Sequence, residues 1–153
     1  MEIMNRDSLL PLNQTQLGVF HAPKWGQMIP QNFVPLLIEE AENNPNRKAR
    51  ICLHPSPDEI TQVTIVALVA PYKDRLHTHP TRPEIMFPLF GKAVLTIYDD
   101  RNGAPRYLTL DSNERLPISI ETNVVHSLRV VTASFVFIEI GNGPFTNTST
   151  HYI

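Results

Sequence analysis

The 153-residue chain is 42% hydrophobic and 18% charged with a formal net charge of -2, the balance of one soluble globular domain with one core. No apolar run approaches the ~18 residues of a membrane span, Met1 to Asn13 lack the apolar stretch of a secretory leader, and the scattered basic residues argue against nucleic acid or an anionic membrane surface as partner. The single cysteine, Cys52, excludes an internal disulfide and points to a reducing cytoplasm.

Residues 1–30 read as irregular, because Pro11, Pro23 and Pro30 interrupt each short apolar run. They suit either an extended arm lying on the domain or on a partner subunit, or a partly disordered leader. A helix is predicted over 32–43: Asn32 is a good N-cap, Pro35 fits the first turn, and Phe33, Leu37 and Ala41 share a face. Asn43, Asn44 and Pro45 stop it. After Lys48 the chain turns rich in Val, Ile, Thr, Phe and Tyr. Strands are predicted at 50–54, 61–70, 74–78, 84–90, 92–99, 106–111, 116–121, 125–131 and 134–140. Residues 99–103 read as a hairpin loop and 131–134 as a tight turn. Short strands at close spacing, with no helices between them, mean an antiparallel sandwich or barrel. The Thr/Asn-rich tail from Gly141 to Ile153 is expected to wrap the surface. The chain thus divides into an N-terminal arm and helix (1–48), a barrel (49–146) and a tail (147–153).

The stretch that carries chemistry is Leu76-His77-Thr78-His79-Pro80-Thr81-Arg82-Pro83-Glu84. Residues two apart on a strand share a face, so His77 and His79 project two imidazoles into the same space. Pro80 and Pro83 force a turn. Glu84 then opens an apolar strand that Gly91 ends at the next reversal, and its carboxylate can swing back toward the imidazoles. Some 35 residues on, His126 begins another strand that a curled sheet can lay beside the first pair. Three neutral imidazoles and one carboxylate make a borderline N/O set, suited to Fe, Mn, Co, Ni, Cu or Zn and not to Ca or Mg. Four such ligands leave roughly two positions of an octahedron for water or substrate. The plain alternative is three surface or core histidines and a solvated glutamate.

The spacing His77, His79, Glu84, Gly91 resembles the first motif of the cupin family, and His126 matches the histidine of the second. Arg50-Ile51-Cys52-Leu53-His54-Pro55, Gln62, His77-Thr78-His79-Pro80, Phe137-Ile138-Glu139 and Gly143-Pro144-Phe145 resemble the WbuC-type cupin metalloproteins more closely, over about residues 36–146. That branch is associated with bacterial surface-polysaccharide (O-antigen) gene clusters. The resemblance implies an all-β fold, the cupin double-stranded β-helix or jelly-roll barrel, with one divalent metal. Two positions depart from the pattern. Glu121 and Asn123 stand where the second motif usually has Pro-x-Gly. Asn123 can take a glycine's positive φ, whereas Glu121 alters the mouth of the barrel.

Other residues admit two readings. Arg50, Cys52 and His54 share a strand face. Either they line the pocket, with His54 as acid/base and Arg50 gripping an anionic group, or Cys52 is core and the others lie at the surface. Arg75 shares parity with His77 and reaches the rim or is merely exposed. Met86, Pro88 and Phe90 share parity with Glu84 and form an apolar wall. Tyr72 and Tyr98 are candidate pocket phenols. Glu139 either orients a histidine or is an ordinary strand residue, and His21 and His151 read as surface residues.

Three functions follow. One is a metal-dependent enzyme (isomerase, lyase or dioxygenase) acting on a small polar substrate such as a sugar or sugar nucleotide, the metal serving as Lewis acid. The second is a non-catalytic module binding a carbohydrate or metabolite through its metal. The third is a closed structural zinc site. Pairing of edge strands predicts a homodimer that involves the N-terminal arm.

Overall fold

The computed structural model describes residues 12–26, 28–99 and 103–153. Among these, ten strands and one helix run β1 (Asn13–Gln16), β2 (Val19–His21), α1 (Phe33–Asn43), β3 (Lys48–Cys52), β4 (Thr61–Val69), β5 (His77–Thr78), β6 (Glu84–Tyr98), β7 (Arg106–Asp111), β8 (Ile118–Ile120), β9 (Val125–Asn142) and β10 (His151–Tyr152). The strands form one sheet, ordered β1-β2-β3-β4-β9-β5-β10, with β6 pairing β7, β8 and β9. Because β9 pairs with β4 along one edge and with β6 along the other, the sheet folds over on itself.

Strand alternation gives this sheet two apolar faces. Ala49 and Ile51 of β3, Ile65, Ala67 and Val69 of β4, and Val136 of β9 face α1, which covers them with Leu36, Leu37 and Ala41. The opposite parity points into the fold: Val66, Leu68, Met86, Leu95, Leu128, Phe135 and Phe137 make a second core. Leu37 and Phe135 are fully buried, each contributing roughly 1.5–3 kcal/mol of transfer free energy. The helix matches its expected span to within a residue, although the Asn32 side chain makes no cap hydrogen bond.

Four expectations need correction. The segment read as an irregular arm contains β1 and β2, and β2 adds to the sheet in parallel beside β3; turn residues Leu17 and Gly18, rather than the prolines, organise it. Residues 84–98 form one strand, because Gly91 (φ 73) takes up a bulge instead of a reversal. Residues 131–134 make no turn: Gly91 pairs with Phe135 and Ala93 with Val130, so this stretch faces Lys92 alone as a wide bulge inside β9. There the Thr132 hydroxyl accepts from the Lys92 N–H at 2.9 Å and donates to the Ser134 carbonyl at 2.7 Å. The tail returns to the sheet, with β10 pairing β5. The middle of the loop expected at 99–103, and the first residues of the arm, lie outside the described residues.

Candidate metal centre

Two strands bring the histidines together. His77 lies in β5 directly opposite His126 of β9, and His79 follows β5 by one residue. The ring centroids are 4.4 Å apart for His77 and His126, 5.0 Å for His77 and His79, and 5.4 Å for His79 and His126. Glu84 opens β6 and turns its carboxylate to them, with Oε1 3.2 Å from His79 Nε2 and Oε2 3.5 Å from His126 Nε2. The turn before His126 is tied to this group. Asn123 adopts φ 63, as expected of a glycine substitute, and its N–H donates to the His79 carbonyl at 3.0 Å. Glu121 is exposed just beyond β8.

Each ring is locked in the same tautomer. Nδ1–H donates to a backbone carbonyl in every case: Arg75 at 2.7 Å for His77, Ser149 at 2.8 Å for His79, and Val124 at 2.9 Å for His126. A carbonyl only accepts, so each neutral ring keeps its lone pair on Nε2. One ligand atom from each histidine lies within 4.8 Å of the others, and His126 Nε2 is a buried atom without a hydrogen-bond partner. An octahedral ion with bonds of ~2.1 Å spaces adjacent ligands about 3 Å apart, close to the Glu84 distances. The residues therefore fit a divalent transition metal.

The charges around the group reinforce one another. Burial would raise the Glu84 carboxyl, but the His126 ring beside it and the charges of His79, His126 and Arg82 bring it below its ordinary value. Burial pulls His126 down, and the Glu84 carboxylate with the Val124 carbonyl outweighs it, so this ring sits above its ordinary value. Burial lowers His77. Arg82, buried, spans two carboxylates: its Nη2 is 2.8 Å from Glu139 Oε1 and its Nε 3.8 Å from Glu84 Oε1. The Phe145 ring covers its guanidinium at 5.2 Å.

The group opens into a cavity of about 680 Å³. His77, His79 and Glu84 line it, and so do Arg50 and His54, as the pocket reading of β3 predicts. Lys48, His21, Arg82 and Glu139 join them. Lys48 and Arg50 have no acidic partner among the described residues. Burial, together with the charge of Glu84, pushes the Glu139 carboxyl up to about 7 against the pull of Arg82 and Lys48. Burial lowers His54. Tyr72 lines the cavity and donates to Asp74, whereas Tyr98 lies outside it.

Of its two readings Arg75 takes the exposed one, stacked 4.6 Å over the Tyr152 ring, because β5 is only two residues long and alternation does not reach back to it. Its backbone carbonyl serves the site instead. Met86 lines the cavity and Pro88 is buried, but the bulge after Pro88 turns Phe90 out to 47% exposure. His21, read as a surface residue, is half-buried in the cavity wall. Ser149, which accepts from His79, and Thr150 and Tyr152, which line the cavity, had no signal in the sequence, since the tail lacks periodicity and its partners are far away in the chain.

Residues 29–109 match the family model described as a domain of unknown function, DUF6016. No curated protein matches the chain. Among solved structures, the capsular polysaccharide assembling protein CapF from Staphylococcus aureus is similar with a TM-score of 0.62 at 18% identity, over 72% of this chain and 33% of that one. Oxalate decarboxylase from Bacillus subtilis is similar with a TM-score of 0.57 at 18% identity, over 69% of this chain and 27% of that one. Peruvianin-I, a cysteine peptidase from Thevetia peruviana latex, is similar with a TM-score of 0.52 at 14% identity, over 61% of this chain and 56% of that one. The chain spans about a third of the length of CapF. The fold is a cupin fold, as CapF and oxalate decarboxylase have, and identities this low speak for the fold alone. Among the described residues no helix is long and apolar enough to cross a membrane.

Proposed function

The chain belongs to the DUF6016 family and has a cupin fold, and from that premise we propose that His77, His79, Glu84 and His126 hold one divalent transition metal and that the adjoining cavity acts on a small anionic substrate. One observation carries this reading. The Nδ1 protons of all three imidazoles are donated to backbone carbonyls, so their Nε2 lone pairs converge with the Glu84 carboxylate at the cavity wall.

When bound there, such an ion supplies a Lewis acid for a substrate oxygen. The chain's own groups supply the rest. Lys48 and Arg50, on the β3 wall, offer unpaired positive charge to a phosphate or carboxylate. Glu139, titrating near 7, can accept or release a proton on its carboxylate at neutral pH. His54, whose ring burial holds below its ordinary value, lines the same wall. A titratable group poised in the cavity favours catalysis over binding alone. A sugar phosphate or sugar nucleotide of surface-polysaccharide metabolism suits this wall. The WbuC-type residues of the sequence support that substrate class, and CapF, a capsular polysaccharide assembling protein, points the same way.

Elemental analysis of untagged protein tests the metal. About one equivalent of a transition metal is expected in the wild type, and the His126→Ala variant should retain little of it. Normal metal content in folded His126→Ala protein would refute the ligand assignment. Calorimetric titration with sugar nucleotides against neutral sugars tests the substrate class, and tighter binding of the neutral sugars would overturn it.

A further inference from the structure

A second group of metal-ligating side chains lines the same cavity, on different strands from the first. β2 runs parallel to β3 in a register that sets His21 opposite Cys52. Ile51 and Leu53 pack on the helix side, so Cys52 and His54 face the cavity, where His21 joins them. One ligand atom from each of the three lies within 4.8 Å of the others. The rings of His21 and His54 meet edge to face at 5.7 Å. Cys52 and His54 are buried and His21 is half-buried.

The hydrogen bonding of His21 leaves a ligand atom free. His21 Nδ1–H donates to the His54 carbonyl at 3.3 Å, which puts its lone pair on Nε2. His54 Nδ1 is 3.1 Å from both the carbonyl and the N–H of Val63. The ring offers Nε2 to an ion with its proton on Nδ1 and donated to that carbonyl, so binding selects this tautomer over the one in which Nδ1 accepts from the Val63 N–H.

We propose that His21, Cys52 and His54 form a second metal site of N₂S character, taking a soft or borderline ion such as Zn(II) or Cu(I) with its remaining position open to the cavity. A thiolate ligand sets this chemistry apart from the N₃O group. Burial keeps the Cys52 thiol protonated beyond its ordinary value, so binding releases that proton and tightens as pH rises. A cavity with a metal site in each of two walls would grip a substrate at two points.

The experiment is a titration of metal-free, full-length protein with Co(II), followed by ultraviolet–visible absorption and equilibrium dialysis. Cys52 is the chain's only cysteine, so a thiolate-to-cobalt charge-transfer band reports this cluster alone. Two ions per chain and that band are expected. Cys52→Ser should abolish the band and leave one ion, whereas His126→Ala should keep the band and lose the other ion. The half-buried His21 can be removed without hollowing the core. His21→Ala should weaken the band-forming event by roughly tenfold or more, the scale on which even outer partners of metal ligands act, and so serves if Cys52→Ser does not fold. Wild-type protein that takes up Co(II) without a charge-transfer band overturns the second site and leaves the first standing. A band unchanged in folded His21→Ala protein likewise overturns the three-residue ligand set.

Discussion

His79 donates its Nδ1 proton to the backbone carbonyl of Ser149, seventy residues further along the chain, at 2.8 Å. This bond makes the C-terminal tail part of the candidate metal centre, because the carbonyl sets both the ring's orientation and its tautomer. β10 holds the tail in place by pairing Tyr152 with His77.

Deletion of residues 147–153 should therefore weaken metal binding by roughly 10–100-fold, the usual cost of losing such a partner. The two apolar cores lie elsewhere, so the circular dichroism spectrum should be retained. Equilibrium dialysis checks this; unchanged affinity in the folded truncation would show that the tail does not position His79.

Glu139 should write a pH dependence into the stability of metal-free protein. Its folded pKa, about 7, lies above its ordinary value of 4.5, so the folded state binds the proton more tightly. That stabilisation is full below about 4.5 and is lost as pH rises through 7. Relative to Glu139→Gln, the wild type should lose up to about 1.4 kcal/mol per pH unit across this window. Urea denaturation at a series of pH values reads it, and parallel curves for the two proteins would count against the shift.

Gly91 should tolerate no side chain. Its φ is +73, and an added Cβ would stand 2.1 Å from the Ser134 carbonyl oxygen, a backbone atom that cannot swing away. Gly91→Ala should cost roughly 1–3 kcal/mol or more, read as a lower denaturation midpoint. A midpoint equal to wild type would mean that the bulge can relax.

Arg50→Ala should weaken binding of an anionic sugar by about tenfold or more, the loss of one charge-assisted hydrogen bond of ~1.5–3 kcal/mol. The wild-type affinity should fall with added salt more steeply than that of the variant. Calorimetry at two ionic strengths checks both, and equal salt slopes would place Arg50 outside the binding site.

Much of this molecule is local information, and that part is legible in the residues. Alternation along Arg50, Cys52 and His54 puts them on the cavity side, and the same period brings His77 and His79 together. Pro80, Pro83 and Glu84 announce a turn that returns a carboxylate, and Asn123 takes the positive φ that its place in the motif requires. Steric limits on φ and ψ and a side-chain period of two act within a few residues, so a single sequence carries them. The tertiary structure alone decided the rest. Gly91 serves a bulge instead of a chain reversal, Arg75 contributes its carbonyl instead of its guanidinium, His21 enters the cavity wall, and the tail closes over His79. These outcomes depend on strand pairing between distant segments. Register there is chosen by the packing of whole faces, which no local run of residues records.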